Sequence, residues 1–198
     1  IEKDFEVFHD IRNTMALVQK CADLYINKLP GGDFPEKYRN APKEIIDLHT
    51  ALSLVNSQLG MIDVLVNIES ISQGQKNYIN LYQMFHKLTQ LFEYKGTDRD
   101  IHVRLRANEA IPNIMAYQSI EFIPIILLDN AVKYSTSHST IWVDLQKTRS
   151  EVIVTVSSIG DLIPEGERTR IFEKYYRSEE ARKRTSKGIG MGLWLAKE

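Results

Sequence analysis

Cysteine is almost absent from this chain of 198 residues, which contains Cys21 alone. One thiol cannot form a disulfide within the chain, so a disulfide-stapled secreted domain is excluded. Because Cys21 falls within an apolar helical pattern beside Ala22, we expect a small buried residue in a reducing compartment rather than a reactive thiol.

Long apolar runs are also absent. No stretch approaches the ~20 consecutive apolar residues of a membrane helix, and no signal peptide opens the chain. We therefore expect a soluble, cytoplasmic piece. The sequence begins at Ile1 rather than at methionine and stops at Glu198 inside a helical pattern, which favours a fragment of a longer protein. Membrane attachment is expected only through missing segments before Ile1.

An excess of charge of either sign is lacking, since 25 basic residues oppose 26 acidic ones and the formal net charge is -1. Binding to nucleic acid draws on a positive field, which this chain does not have. We therefore expect no nucleic-acid partner.

Apolar residues recur in steps of three and four over two segments, which is typical of helices that pack on other helices. The two seams are Phe8, Ile11, Met15, Val18, Ala22, Tyr25, Leu29 and Ile45, Leu48, Leu52, Val55, Leu59, Ile62, Val66. Prolines and glycines in residues 29–42 interrupt both helices. The pattern predicts an antiparallel helical hairpin over residues 1–72. Two hairpins would cover their seams in a dimeric four-helix bundle, and the alternative is a hairpin that packs on its own second domain.

Shorter and mixed patterns follow a boundary at residues 71–80. They predict a helix around Leu81, Phe85, Leu88 and Phe92, a strand over 101–106, a helix over 123–134 with Pro124 in its first turn, antiparallel strands over 141–145 and 152–156, and a helix after Gly192. This order predicts an α+β fold class, with an α/β sandwich over residues 78–198 in which helices cover one face of a sheet.

Three groups of residues carry chemistry. His9 lies one position past the seam residue Phe8, at the rim of the helix face, and its neutral imidazole is a nucleophile near pH 7. Asp10 can accept a proton from the ring, and Asn13 shares the face of His9 and can hold a water. Asn130 offers a carboxamide oxygen to a magnesium ion, and the glycines of 188–192 let backbone amides approach a polyphosphate. Taken alone, His9 also fits an ordinary surface histidine, Asn130 a helix-face asparagine, and the glycines of 188–192 a hinge that binds no ligand.

Four motifs occur in order along the chain: Phe8-His9-Asp10-Ile11-Arg12-Asn13, Leu127-Leu-Asp-Asn130-Ala-Val-Lys133-Tyr134-Ser, Ile171-Phe172-Glu-Lys-Tyr175-Tyr176-Arg177 and Gly188-x-Gly190-x-Gly192-Leu193. They resemble the phosphoacceptor, N, F and second glycine boxes of two-component sensor histidine kinases. Nearly the whole chain resembles the dimerisation/histidine-phosphotransfer domain and the GHKL-type ATP-binding catalytic domain of that family.

The resemblance implies residue roles. His9, Asp10 and Asn13 are the expected catalytic residues, and Asn130 is the expected magnesium ligand. The expected nucleotide contacts are Asn130, Lys133, Tyr134, Ser158, Gly160, Arg177, Gly188, Gly190, Gly192 and Leu193. The polar, basic residues 178–187 resemble the lid over the nucleotide, and the implied cofactors are ATP and Mg. The implied partners are a second copy of the chain and the receiver domain of a response regulator.

The chain departs from the family pattern in three places. Ser158 occupies the aspartate position that holds the adenine amino group, and a neutral hydroxyl makes a weaker bond there than a carboxylate. Leu162 replaces a glycine and is expected to fill part of the pocket. Ile126 stands where the family usually has a polar residue and can neither bind magnesium nor move a proton. The strands that follow the final helix in the family are absent after Glu198.

Two functions remain open. The first is an ATP-dependent histidine kinase core, with autophosphorylation of His9, transfer to a response-regulator aspartate and a reverse, phosphatase, activity. The alternative is a nucleotide-poor, dimeric module that binds or dephosphorylates a regulator. Ser158, Leu162 and Ile126 motivate the alternative.

Overall fold

A computed structural model describes residues 2–72, 74–186 and 188–198. The side chains of residues 2–9, 35 and 66 are outside this description. The chain separates into two compact units, one ending at Ser70 and the other beginning at Ile71. Together they form the α+β fold predicted from the sequence. No helix among the described residues combines the length and apolar character needed to cross a bilayer.

The first unit is a helical hairpin. Its elements are α1 (Glu2–Lys28), α2 (Phe34–Arg39) and α3 (Lys43–Val66), and a 3-10 helix (Ile68–Ser72) follows at the boundary between the units. Arg12 near the start of α1 reaches Asp63 near the end of α3, with 2.7 Å between Nη2 and Oδ1, so the two long helices are antiparallel, as predicted. The short α2 was not predicted, although Asp33 caps it by accepting a hydrogen bond from the Glu36 amide at 3.1 Å.

The predicted seam of α1 is only partly buried. Ile26, which the prediction omitted, is fully buried, whereas its neighbour Tyr25 is 47% exposed. Five apolar residues of α1 are exposed, and we call them the α1 stripe: Ile11, Val18 and Tyr25, which repeat every seven residues and belong to the predicted seam, and Leu17 and Leu24, which lie 100° further round the helix. A heptad pattern of apolar residues indicates a helix that packs against other helices. It does not say which face meets the partner within the chain.

Cys21 is exposed, so its predicted burial was wrong. The reason is geometric, because the buried Ala22 lies 100° further round the helix and takes the inward position. One step along a helix is enough to move a small residue from the core to the surface.

The second unit packs helices on one face of a sheet. Its main elements are β1 (Asn77–Ile79), α4 (Leu81–Gly96), β2 (Ile101–Ala107), β3 (Ile114–Ala116), α5 (Phe122–Tyr134), β4 (Ser139–Lys147), β5 (Val152–Ser157), α6 (Glu179–Arg184) and α7 (Gly192–Lys197). The predicted helices and strands of this region are confirmed, and Pro124 lies in the first turn of α5 as expected.

The sheet order is β2-β4-β5. β2 and β4 are parallel, and β4 and β5 are antiparallel with Val143 opposite Val156, as predicted for that pair. Alternate residues of β4 point inward, and Ile141, Val143 and Leu145 are completely buried. α5 connects β3 to β4 and buries Leu128 and Val132. This burial fixes the rotation of α5 and therefore the direction in which its polar residues face.

Candidate functional site

α5 presents a polar face opposite its buried one. Asn130 and Lys133 are half-buried on this helix, next to Asp129. Asp129 pairs with Lys133 one turn ahead and with Lys95 on α4. The three ionic groups beside Asn130 carry one net positive charge, which suits an anionic ligand.

The carboxyl end of α5 is held by an arginine outside every predicted motif. Arg99 donates to the carbonyl oxygens of Val132 at 2.9 Å and Lys133 at 3.3 Å, and also to that of Ser135. The last carbonyls of a helix have no partner within the helix, so this guanidinium satisfies groups that would otherwise be exposed or orphaned. Arg99 thereby fixes the end of the helix that carries Asn130.

The loop after β5 lies directly against the end of α5. A Cβ on Gly160 would meet the carbonyl oxygen of Tyr134 at 2.4 Å, so no larger residue fits without a backbone shift. The Thr136 amide donates to Ile159 O at 2.7 Å, and Ser135 and Gly160 form an isolated bridge. Gly160 therefore serves close packing of backbone on backbone. Ser158, two residues before it, is exposed at the end of β5.

Leu162 does not fill a pocket. Its side chain is 82% exposed, so the expectation that it occupies part of the base-binding space was wrong. The cause is its position in an extended loop between β5 and the following 3-10 turn, where the side chain points away from the protein. Tyr134, the neighbouring predicted contact, is half-buried at the last position of α5.

Ile126 has a structural role on α5. It is 6% exposed, and its Cγ2 lies 3.3 Å from the point where a Cβ on Gly192 would stand. The small size of Gly192 therefore lets the start of α7 approach α5. Leu193 follows within α7 and is half-buried. The polar position lost to Ile126 has become part of the packing between the two helices.

The second glycine box adopts backbone conformations that favour glycine. Gly188 has φ of 102° and Gly190 has φ of 75°. A Cβ on Gly190 would also meet Tyr176 O at 2.6 Å, whereas the position of Gly188 is open. Gly190 thus combines a left-handed backbone with close contact to the end of the F box.

Arg177 contacts the lid segment. Its guanidinium donates to the carbonyls of Ala181 at 2.9 Å, Thr185 at 2.5 Å and Gly188 at 3.0 Å. Ala181 belongs to α6 and Thr185 directly follows it, so the residues that resemble the lid contain a short helix. Arg177 therefore links the F box, the lid and the second glycine box in this conformation.

The predicted phosphoacceptor residues belong to the other unit. His9 is part of α1, and its side chain lies outside the described residues. Asp10 and Asn13 are exposed, one turn apart on the same helix. Exposure of both side chains is compatible with chemistry at the surface of the hairpin.

A preassembled metal cage is absent from the part of the chain that the structure describes, where no three His, Cys, Asp or Glu side chains could hold an ion together. Magnesium does not need one, because it usually keeps several waters and uses one or two protein ligands plus phosphates. The carboxamide oxygen of Asn130 fits that donor set.

Sequence reasoning missed Lys95, Arg99 and Arg184. Arg184 bridges α6 to Asp161, with 2.6 Å between Nη1 and Oδ2, and also donates to Ser135 O. Only Arg184 had a sequence signal, since it lies in the basic run of the lid. The other two come from the region around α4, and only the fold brings them to α5.

Comparisons with known proteins agree with this architecture. Residues 118–198 match the family described as histidine kinase-, DNA gyrase B-, and HSP90-like ATPase. The signal transduction histidine-protein kinase ArlS of Staphylococcus aureus (strain USA300) is 24% identical over 197 residues, covering 96% of this chain and 41% of that protein. The chain thus spans about two fifths of the length of the curated relatives it matches.

Solved structures show the same fold. Full-length ShkA in complex with AMPPNP has a TM-score of 0.56 at 18% identity, covering 98% of this chain and 39% of that one. Histidine kinase ThkA in complex with the response regulator protein TrrA has a TM-score of 0.51 at 20% identity, covering 92% and 53%. A nucleotide-free catalytic domain of ThkA has a TM-score of 0.53 at 21% identity, covering 62% and 78%.

Proposed function

We propose that the chain is the core of a two-component sensor histidine kinase, with a GHKL-type ATP-binding domain as its second unit, and that it phosphorylates His9 with Mg-ATP and passes the phosphoryl group to an aspartate of a response regulator. The relatives are kinases by name, and this chain covers only part of their length. The activity, the cofactors and the partners are therefore proposals for this chain.

One observation carries the proposal. α5, which bears Asn130, packs through Ile126 against Gly192, and this contact brings the second glycine box beside the polar face of α5. Left-handed glycines next to an asparagine and a net positive cluster supply backbone amides, a hard oxygen ligand and charge for a polyphosphate. Bound ATP would supply the phosphoryl group, and its magnesium ion would neutralise the negative charge that develops on the phosphate oxygens during transfer.

The chemistry on the hairpin uses α1. A ring nitrogen of His9 forms a bond to the γ-phosphorus as the bond to the β-γ bridging oxygen breaks, and ADP leaves with that electron pair. Asp10 accepts the proton from the other ring nitrogen. Asn13, one turn ahead, holds the water that attacks the phosphorylated regulator in the reverse, phosphatase, reaction.

Asn130→Ala is expected to weaken magnesium-dependent ATP binding about ten-fold or more, because the ion loses an oxygen ligand that pairs with its charge. Labelling from γ-labelled ATP should fall in parallel. The matched control is Asn113→Ala, an exposed asparagine between β2 and β3. If both variants bind Mg-ATP like the native chain, Asn130 is not the metal ligand.

The α1 stripe supports a homodimer. Five apolar side chains lie exposed along one helix: Ile11, Leu17, Val18, Leu24 and Tyr25. A second hairpin packed on this stripe would bury them in a four-helix bundle. The stripe rather than the buried face of α1 is therefore the proposed dimer surface.

Val18→Lys with Tyr25→Lys should weaken the dimer at least about a hundred-fold, since two apolar side chains per chain lose their burial and gain charge. Sedimentation velocity at micromolar concentration should then show monomers that keep native helicity. Ser53→Lys, at an exposed position of α3, should leave the dimer intact. A native chain that sediments as a monomer would disprove the dimer.

A response-regulator receiver domain is the proposed second partner. The solved ThkA complex with TrrA supports this choice, since it shows a regulator bound to a kinase of the same fold. The phosphoryl group moves from His9 to the regulator, so the regulator must reach the exposed side of α1 near Asp10 and Asn13.

The alternative, a nucleotide-poor module that binds or dephosphorylates a regulator, is favoured by a specific observation. Two predicted nucleotide contacts are engaged elsewhere, because Lys133 pairs with Asp129 and Arg177 binds lid carbonyls. Ser158 and Ile126 also remain departures from the family pattern. The exposure of Leu162 removes one argument for this alternative.

A further inference from the structure

The lid helix α6 is too short to be stable alone. It has six residues, and isolated helices shorter than about 12 residues are marginal in water. Ser178 caps its start by accepting a hydrogen bond from the Ala181 amide at 3.1 Å, and Arg177 binds its last carbonyls. Tertiary anchors must therefore supply the remaining stability of α6.

Arg184, the last residue of α6, provides such an anchor. Its guanidinium reaches two segments outside the lid. It donates to Asp161 in the loop after β5 at 2.6 Å and to the carbonyl of Ser135, the residue that follows α5. Ser135 is fully buried, and the same carbonyl also accepts from Arg99.

This geometry ties the lid to the two segments that border the proposed nucleotide site. α5 carries Asn130, and the loop with Asp161 carries Ser158 and Gly160. The guanidinium of Arg184 spans both segments. A polyphosphate that enters here meets a lid already fastened by an internal carboxylate.

We propose that Arg184 is a positioning residue that, through Asp161 and Ser135 O, latches the lid helix across the site and slows nucleotide entry. Only the second part of this proposal, the slowing of nucleotide entry or gating step, rests on the proposed function. The docking of α6 by Arg184 does not depend on that function. Nucleotide binds after the latch opens, so weakening the latch speeds association.

Asp161→Asn removes the carboxylate and keeps the shape of the side chain. Hydrogen exchange of the amides of Arg182 and Thr185, which donate to Ser178 O and Ala181 O, should become about five-fold faster, as expected for losing one partly exposed ion pair. Arg184→Met should accelerate exchange at least as much, since it also removes the donor to Ser135 O. Adding Asp161→Asn to Arg184→Met should cause no further change, because both substitutions break one pair.

Matched controls separate the latch from a general charge effect. Glu165→Gln removes a carboxylate from the same loop, and Lys183→Met removes a cation from the same helix. Both side chains are exposed, and both variants should exchange like the native chain. Asp161→Glu keeps the carboxylate and should retain slow exchange.

The gating step is measured by stopped flow with a fluorescent ATP analogue and magnesium. Association with Asp161→Asn should be about five-fold faster than with the native chain. Faster exchange with an unchanged association rate would overturn the gating step.

Unchanged exchange in Asp161→Asn, or additive effects in the double variant, would overturn the latch itself. A native chain that binds no nucleotide but shows the expected exchange pattern would keep the latch and refute the proposed function. The two failures are therefore distinguishable.

Discussion

His9→Gln is expected to abolish acid-labile, base-stable labelling from γ-labelled ATP, because glutamine has no nucleophilic nitrogen to form the phosphoramidate bond. The affinity for Mg-ATP should stay nearly unchanged, since His9 belongs to the hairpin and the proposed nucleotide contacts belong to the second unit. Acid and base stability of the label, measured beside a binding titration, checks both parts.

The other histidines have different surroundings and serve as internal controls. His49 contacts Asp23 through Nε2 at 2.9 Å, and His138 contacts Asp100 through Nδ1 at 3.0 Å. His102 lies between Asp100 and Glu93, and His86 stacks on Tyr82. Replacing any of these four with glutamine should leave labelling at the native level. Native labelling in His9→Gln would move the acceptor to one of them.

Gly190→Ala should destabilise the second unit by about 2 kcal/mol or more and should abolish tight ATP binding. The alanine must adopt φ of 75°, and its Cβ would stand 2.6 Å from Tyr176 O, which is a backbone atom that cannot rotate away. The second glycine box must therefore shift relative to the F box. Urea unfolding and a Mg-ATP titration of the same variant measure the two effects.

Two other glycines calibrate the size of this effect. The Cβ of Gly188→Ala would meet open space. This variant is therefore destabilised only by its positive φ, by on the order of 1 kcal/mol. Gly166→Ala meets open space at an ordinary φ and should change stability by less than about 0.5 kcal/mol. Equal stability of all three variants would show that Gly190 has room for a side chain.

The sequence predicted the long and periodic elements well. Heptad spacing identified α1 and α3, alternation identified β4 and β5, and a proline at the start of an apolar run placed α5. These signals are local, so neighbouring residues suffice to read them. The pattern did not show which part of the α1 seam is buried, because only the packing of α3 decides that.

Elements with short or distant signals were missed. β1 and β3 have three residues each, and their pairing joins Tyr78 to Met115 far along the chain. α6 lacks an apolar stripe, although Ser178 before two glutamates and three basic residues in its last turn is a helix signature. Arg177 binds carbonyls within and just after α6, whereas Arg184 binds Asp161 and Ser135, which lie far from α6 in the sequence.

The candidate site likewise contains some residues that the sequence identified and others that it did not. The boxes named Asn130 and the glycines from sequence alone, and the structure assigns Gly160 and Gly190 a clear steric reason. Lys95 and Arg99 could not be found, because a lysine or arginine on a charged surface has no local signature until the fold brings it to α5. Leu162 was misplaced for the same reason, since a loop residue can turn inward or outward.

The most direct test of the kinase assignment is a calorimetric titration of the native chain with ATP, performed with magnesium and again with a chelator. We expect saturable binding of one nucleotide per chain that requires magnesium and that Asn130→Ala weakens about ten-fold or more. Absence of binding at millimolar Mg-ATP, with the chain folded and dimeric, would contradict it. The nucleotide-poor module would then be the correct description.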